Sequence, residues 1–262
     1  MKKIEIVDFR SLDREKVIDF LMEQMPKSVY LIGDMLSGNV KFTMFAAVED
    51  SRILGIILYY WGVPGSSIIW ILGNRKTVGR FIESLDNGTF AILVPIESAE
   101  KLKERFKDVR SYPEYIMLFK GQIMDDCEND FRILGPEDRE QWGYLKTERK
   151  TFSREENDQF FRNLTDQTCF GLFANGIMVS GAVIEASSPE IAVIGSVKTL
   201  SAYRNKGYAT ALMASAVRYC HKNGQSVYLF VRKDNLPAIR AYRKVGFSIV
   251  DEILISYVGM DI

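Results

Sequence analysis

Residues 197–220, VKTLSAYRNKGYATALMASAVRYC, contain the pattern that decides the fold we predict for this chain. The pattern predicts the end of a strand, a short basic loop with a glycine, and a helix that stops at Asn223-Gly224. A loop between a strand and a helix is a setting in which backbone groups can hold phosphate. The apolar residues of the helix recur at the spacing of one helical face, and they are Ala209, Leu212, Met213, Ala216, Val217 and Cys220.

The loop ahead of this helix has the composition of an anion-binding site. The first backbone N–H groups of a helix have no intrahelical partner, and together with the helix dipole they favour negative charge. Gly207 and Ala209 leave room for a bulky anion, such as a pyrophosphate, to approach the backbone closely. The alternative is a solvated basic turn that precedes a helix by chance. The residues concerned are Arg204, Asn205, Lys206, Gly207, Tyr208, Ala209 and Thr210.

Two stretches of the second half resemble a known family. The string V-x-T-x-x-x-x-R-x-x-G-x-A in residues 197–209 is similar to the acyl-coenzyme A binding motif of the GCN5-related N-acetyltransferases (GNAT). Residues 235–247, NLPAIRAYRKVGF, resemble the closing pattern of the same family, N-x-x-A-x-x-x-Y-x-x-x-G-F, at all five marked positions. The resemblance covers residues 131–262, whereas residues 1–120 follow the family only in the order of their elements.

Turn signals divide the chain into two halves with the same predicted order of elements, βααβββαβαβ. Residues 121–130, GQIMDDCEND, are rich in acidic and turn-forming residues, and they are the predicted linker. We therefore expect an α/β fold with mixed α+β sheets, made of two tandem acyl-CoA N-acyltransferase-like domains over residues 1–122 and 131–262. By resemblance the first is a degenerate GNAT-like copy and the second is the catalytic GNAT domain that binds acetyl-CoA.

Local signals place several elements of the first half. We expect Ser11 to cap the first helix, Pro64-Gly65 to form a turn, and residues 115–119 to form the last strand. The loop that corresponds to residues 204–210 is residues 73–79, GNRKTVG, whose Arg-to-Gly spacing differs from the family motif. It is either a second coenzyme site or a degenerate copy that serves packing or walls the acceptor site, and we favour the degenerate copy.

The second half carries clearer local signals. Pro136 is expected to open a helix. Ser153 and Glu156 form a capping-box pattern ahead of another helix. Asn175-Gly176 is the strongest hairpin signal in the chain. These signals favour the same strand and helix order that the resemblance implies.

The resemblance assigns the coenzyme to named backbone and side-chain groups. In the family the fourth and fifth strands splay apart and the pantetheine lies between them. Gly195 is expected to mark a bulge that helps the fourth strand to separate. Asn235 then bonds the pantetheine arm, or it only caps the following helix, and Ala238 belongs to the same binding set. Backbone groups of Val197, Lys198 and Thr199 meet the coenzyme, one N–H polarising the thioester carbonyl.

The expected acid is Tyr242. By resemblance it donates a proton to the departing coenzyme A thiolate, which a phenol can do as a positioned general acid. The alternative is a core aromatic, because Leu236, Ile239, Tyr242 and Val245 are spaced by three.

The expected base has two candidates. Many family members carry a Glu or His midway along the fourth strand, where this chain has Val193. Glu185 and Glu190 are the nearest acids, and either can act through a water molecule or be a solvated charge at a strand end. The one histidine, His221, is expected at the surface.

Composition restricts the class of protein. The chain has 262 residues, of which 47% are hydrophobic, with 34 basic and 34 acidic side chains, so nucleic-acid binding is disfavoured. Cys127, Cys169 and Cys220 are far apart, which fits a reducing cytoplasm, and ligand spacing for a metal is lacking. The N-terminus does not resemble a signal peptide, and the apolar stretch 53–63 is too short to span a bilayer. We expect a cytoplasmic protein without a membrane partner.

The expected activity is transfer of an acetyl group from acetyl-CoA to a primary amine of a small molecule, peptide or protein, without a metal. The alternative is a non-catalytic protein that binds or senses acyl-CoA, which the apolar Val193 favours. The sequence leaves the acceptor open. It also leaves the oligomeric state open, and a monomer in which the fused domains replace a homodimer contact is one alternative.

Overall fold

A computed structural model of the protein describes residues 4–37, 42–61, 67–123 and 130–260. The helices in these ranges are α1 Arg14–Glu23, α2 Val29–Ser37, α3 Arg75–Ser84, α4 Ala99–Arg105, α5 Arg139–Thr147, α6 Arg154–Asp166, α7 Tyr208–Lys222 and α8 Leu236–Val245. The strands are β1 Glu5–Asp8, β2 Phe42–Glu49, β3 Arg52–Tyr60, β4 Ser67–Gly73, β5 Phe90–Val94, β6 Val109–Phe119, β7 Asp130–Ile133, β8 Cys169–Ala174, β9 Ile177–Ser187, β10 Ile191–Thr199, β11 Ser226–Arg232 and β12 Phe247–Val258. The order βααβββαβαβ therefore occurs twice, and the predicted α/β class is confirmed.

The chain forms two compact units whose limits differ from the expected domains. The N-terminal unit is Met1–Ile116 together with Val250–Ile262, and the C-terminal unit is Met117–Ile249. The division expected at residues 122 and 131 placed all of β12 in the second domain. The structure instead pairs the second part of β12 with β5, from Leu254↔Val94 to Val258↔Phe90, so these residues belong to the N-terminal unit. Most of the expected linker, including Cys127, lies outside the described residues.

The N-terminal unit is built on strands in the order β1-β2-β3-β4-β5-β12. Its ladders are antiparallel except for β4 and β5, which run parallel. β5 is buried along its whole length, as expected for a short apolar strand covered on both faces. The hydrophobic core of the N-terminal unit joins residues of the sheet to residues of α3 and α4, among them Ile71, Phe81, Ile92, Leu102 and Leu254.

The C-terminal unit is built on strands in the order β11-β10-β9-β8-β7. The β8–β9 hairpin turns at Asn175 and Gly176, both with positive φ, as the sequence predicts. α5 packs directly on β9 at Gly181, because a Cβ there would lie 2.7 Å from atoms of Trp142 and Leu145. This close approach brings the end of α5 beside β10.

Some local predictions were wrong. Ser11 lies in a 3-10 turn, and the cap of α1 is Asp13, whose side chain accepts a hydrogen bond from the Glu15 N–H. β6 begins well before residue 115. Pro136 is the first residue of a 3-10 turn that runs directly into α5, so it opens this helical segment as predicted. The capping box of Ser153 and Glu156 is confirmed. The expected turn at Pro64-Gly65 lies outside the described residues. None of the helices that the structure describes is long and apolar enough to cross a membrane.

Candidate functional site

The parallel ladder between β10 and β11 ends early. It pairs Ile191↔Ser226, Ala192↔Val227 and Val193↔Tyr228, although β10 continues to Thr199 and β11 to Arg232. Beyond Val193, β10 keeps its antiparallel partner β9 on one edge, whereas its other edge separates from β11. The result is a wedge between the two strands, at the position where the sequence led us to expect a splay.

Two bulges lie at the mouth of this wedge. On β9, Glu185 is an extra residue between Ala186↔Val193 and Ile184↔Ile194. On β10, the pairs Gly195↔Val183 and Lys198↔Gly181 enclose Ser196 and Val197 opposite a single residue of β9. Ser196 adopts φ 52°, which is unusual for a residue other than glycine. A bulge redirects the side chains next to it, and here it turns Glu185 toward β10.

The Glu185 carboxyl lies against the backbone of β10. A Cβ on Gly195 would come within 2.2 Å of it, so a larger residue there would force the carboxyl to shift. The hydroxyl of Ser196 donates a hydrogen bond to Oε1 of Glu185 at 2.8 Å. Burial raises the pKa of Tyr242, and the charge of Glu185 raises it further. The charge of Glu185, which lies at the β10 bulge, therefore acts on the Tyr242 hydroxyl.

Tyr242 also belongs to the core of the C-terminal unit. Its side chain is 7% exposed, and its ring packs edge-on against Phe247 with centroids 6.1 Å apart. The two interpretations from sequence, a core aromatic and a proton donor, are thus compatible in one residue. A phenol with a raised pKa keeps its proton and can donate it.

Glu190 and Val193 lie elsewhere. Glu190 is exposed in the turn before β10, where its carbonyl accepts a hydrogen bond from the Ser226 N–H. Gly195 is five residues further along the extended chain, a distance of roughly 16 Å. Val193 is completely buried. Of the two carboxylates, Glu185 is the one that lies at the β10 bulge.

The loop ahead of α7 has a backbone suited to binding an anion. Asn205 and Gly207 both have positive φ, 60° and 87°. Gly207 is the N-cap of α7 and offers no side chain to the first N–H groups, and the first α-helical bond runs from Ala211 N–H to the Gly207 carbonyl. Successive N–H groups in such a turn form an anion-binding concavity. The N–H groups of Tyr208, Ala209 and Thr210 open this helix.

The two cations of the loop lie at its surface. The Arg204 guanidinium donates to the Thr199 carbonyl at 3.3 Å and lies 3.8 Å from Glu148. The Lys206 ammonium lies 5.2 Å from the centre of the Tyr203 ring. Both cations are exposed and can reach a ligand phosphate.

The remaining predicted binding residues take ordinary structural positions. Asn235 caps α8, its Oδ1 accepting a hydrogen bond from the Ala238 N–H at 3.3 Å. The carbonyl of Lys198 accepts a hydrogen bond from the Ser180 hydroxyl at 3.0 Å, and the Thr199 hydroxyl lies 2.8 Å from the same group. His221 is exposed near the end of α7, as expected. In the part of the chain that the structure describes, no cluster of His, Cys, Asp and Glu could hold a metal.

Two residues at the end of α5 were missed by the sequence analysis. Lys146 donates to the Ser196 carbonyl at 2.7 Å. Glu148 accepts a hydrogen bond from the hydroxyl of Ser201 and lies 4.0 Å from the Lys198 ammonium. Both contact residues about 50 positions further along the chain, so no local pattern could have revealed them.

Comparison with known proteins finds a family match in this region. Residues 135–247 match the model of the acetyltransferase (GNAT) family. The mycothiol acetyltransferase of Corynebacterium glutamicum (strain R) is 35% identical over 69 residues. That match covers 26% of this chain and 24% of the relative, so the chain matches only about a quarter of the relative's length.

Solved structures resemble the chain over nearly its whole length. A GCN5-related N-acetyltransferase-like protein from Streptococcus suis is 17% identical with a TM-score of 0.61, covering 93% of this chain and 98% of that one. A tandem GNAT protein from the clavulanic acid biosynthesis pathway, solved without AcCoA, is 14% identical with a TM-score of 0.58 and covers 99% and 100%. The fold is therefore that of tandem GNAT proteins, which confirms the predicted fold.

We expect Gly195→Ala to lower stability by about 1–3 kcal/mol, the typical cost of inserting atoms into a packed site. The new Cβ would meet the Glu185 carboxyl at 2.2 Å. Urea unfolding of the single variants and of Gly195→Ala/Glu185→Ala measures the coupling, and the double variant should recover most of the loss. Gly79→Ala, where a Cβ meets no atom within 4 Å, is the control. An equal loss of stability from Gly195→Ala in the presence and in the absence of the Glu185 side chain would contradict this packing.

Proposed function

We propose that the C-terminal unit binds acetyl-CoA and transfers its acetyl group to a primary amine. The observation that carries the proposal is the separation of β10 from β11 after Val193↔Tyr228, directly before the loop at Gly207. A strand edge with unpaired backbone groups suits an amide-rich chain such as pantetheine. A helix start without a side-chain cap suits a pyrophosphate. The match of this segment to the GNAT family model supports acyl transfer as the reaction class.

The loop residues supply the coenzyme contacts in this proposal. The N–H groups of Tyr208, Ala209 and Thr210 bind the pyrophosphate, with Arg204 and Lys206 adding positive charge. Arg204 is already oriented by Glu148 and the Thr199 carbonyl, so it loses little freedom on binding. Asn205 contributes its left-handed backbone to the concavity.

The β10 edge orients the acyl group. Val197, Lys198 and Thr199 lie on the part of β10 that has separated from β11. An N–H group on this edge stabilises the negative charge that develops on the thioester oxygen during attack. α8 follows β11 in the chain, and it begins with Asn235 as its cap and Ala238 in its first turn. We assign this first turn to the wall of the wedge.

Proton transfer is assigned to two side chains. Glu185, turned toward β10 by its own bulge, removes a proton from the attacking ammonium, directly or through a water molecule. Tyr242 gives a proton to the departing thiolate, because its raised pKa keeps the hydroxyl protonated. Glu185 thus accepts a proton from the amine, and Tyr242 supplies a proton to the thiolate.

The N-terminal unit is proposed to be the degenerate copy. Its parallel strands β4 and β5 stay paired from Ser67↔Phe90 to Trp70↔Leu93, one residue before β5 ends. The start of α3 is closed by Asn74, whose Oδ1 accepts the hydrogen bond of the Thr77 N–H at 3.0 Å. The helix start at this position is thus capped, which supports a structural role of this unit rather than coenzyme binding.

We expect Gly207→Ala to weaken coenzyme A binding about tenfold, equivalent to about 1.4 kcal/mol. A Cβ at this N-cap would occupy the space beside the first N–H groups of α7 and strain a residue with φ 87°. Gly224→Ala is the matched control, because Gly224 has φ 77°, open space around it and a position just beyond the other end of α7. Isothermal calorimetry should find weak binding only in Gly207→Ala. Equal affinities in both variants would remove the loop from the coenzyme site.

We expect Tyr242→Phe to lower kcat on the order of 100-fold while coenzyme A binding is retained, because the variant loses only the acidic hydroxyl. The raised pKa of Tyr242 also predicts that the wild-type rate shows no decline from tyrosine ionisation below about pH 10. Tyr219→Phe, on α7 with its ring against Phe170, is the control. An unchanged kcat in Tyr242→Phe would leave this residue a core aromatic only.

A further inference from the structure

Lys146 contacts the bulge of β10 but has no part in the chemistry proposed above. Its ammonium donates a hydrogen bond to the carbonyl of Ser196 at 2.7 Å. Ser196 is the residue with φ 52°, a left-handed conformation that is unfavourable for a residue other than glycine. A conformation of this kind persists only where surrounding contacts hold it. Lys146 supplies one of these contacts.

Ser196 links Lys146 to the proposed base. Its carbonyl accepts from Lys146, and its hydroxyl donates to the Glu185 carboxylate at 2.8 Å. The same carboxylate rests on Gly195, the preceding residue. A change in the Ser196 backbone would therefore move both the donor to Glu185 and the surface on which Glu185 lies.

A second lysine contact joins the same two elements, but here the donor is on β10 and the acceptor is on α5. The Lys198 ammonium donates to the carbonyl of Lys146 at 2.7 Å. That carbonyl lies in the last turn of α5, where helix carbonyls have no intrahelical partner. Two lysine-to-carbonyl bonds thus join α5 to β10 on either side of Val197. One of them gives the Ser196 carbonyl of β10 a donor, and the other gives the Lys146 carbonyl of α5 a donor.

The Lys146 side chain is fixed along its length and lies among charged groups. Its ammonium is 4.3 Å from the centre of the buried Trp142 ring. Burial lowers the pKa of Lys146 to about 8, Cys169 and Glu185 oppose that shift, and Lys198 adds to it.

Two further ionisable groups surround this set. Glu148 lies 4.0 Å from the Lys198 ammonium, and Tyr242 is close enough to Glu185 for its pKa to be raised. Lys146 and Lys198 therefore lie among charged groups that include Glu148 and Glu185.

We propose that Lys146 is a positioning residue, which holds the β10 bulge at Ser196 and thereby places Glu185 for acyl transfer. This inference rests on the proposed function for its catalytic consequence, but its structural part concerns the protein without coenzyme. Without the ammonium, the Ser196 carbonyl loses its donor and the strained φ loses a restraint. The Glu185 carboxylate then loses the fixed geometry that a general base needs.

The structural part is tested by NMR on the full-length, coenzyme-free protein. Lys146→Met removes the donor and keeps a long apolar side chain, Lys146→Arg keeps a donor, and Lys150→Met is the control at an exposed position near the end of α5. We expect the amide signals of Ser196 and Val197 to shift strongly in Lys146→Met, while Ala192, on the paired part of β10, is unaffected. Arginine should restore most of the wild-type signals.

The catalytic part is tested by steady-state kinetics with acetyl-CoA and an acceptor. We expect Lys146→Met to lower kcat on the order of 100-fold, as small misplacements of catalytic groups do, with coenzyme A affinity within about twofold of the wild type. Lys146→Arg should recover a large part of kcat, and Lys150→Met should match the wild type. A loss confined to coenzyme affinity would contradict the proposed role.

The pKa of the Lys146 side chain gives a further readout, because a change in the stability of the protein alone would not alter it. By NMR its ammonium should titrate near pH 8, at lower pH in Glu185→Gln and at higher pH in Lys198→Met, because these variants remove an opposite and a like charge. If the wild type transfers no acetyl group, the proposed function fails while the Ser196 and Val197 signals still decide the structural part. Unchanged signals in Lys146→Met, or unchanged titration in both variants, would overturn the inference.

Discussion

The early end of the β10–β11 ladder, at Val193↔Tyr228, is the constraint on which the C-terminal unit depends. Backbone groups beyond this pair lose their sheet partners, and leaving such a group buried and unsatisfied costs about 1–3 kcal/mol. On the opposite edge, where β10 pairs with β9, two bulges interrupt the ladder, and the Lys146 side chain donates a hydrogen bond to the Ser196 carbonyl there. The separated edge of β10 is what makes a coenzyme site possible here.

The order of elements could be predicted because local patterns encode it. The apolar stripe of α7, the Asn175-Gly176 turn and the Ser153 capping box each require only nearby residues, and each is found where expected. The bounds of β10 agree with the sequence prediction because apolar residues and turn formers define both ends. The loop ahead of α7 was predictable for the same reason, since Gly207 and its cations are contiguous.

Features that depend on distant partners could not be predicted. The second part of β12 pairs with β5, more than 150 residues earlier, and its sequence carries no mark of that partner. Whether Glu185 or Glu190 approaches β10 is set by a bulge, which inserts one residue without a composition of its own. The contact of Lys146 with Ser196 likewise depends on how closely α5 packs at Gly181. Tertiary packing, and not local propensity, selects these positions.

Thiol release from acetyl-CoA by the wild-type protein, across a panel of small amines, amino acids, peptides and polyamines, tests the central claim most directly. The account predicts release that depends on an acceptor amine and that accompanies measurable coenzyme A binding. Tight binding without release for every acceptor would contradict the proposed enzyme and support a protein that senses acyl-CoA. Absence of coenzyme A binding would contradict the assignment of the wedge and of the loop at Gly207 as the coenzyme site.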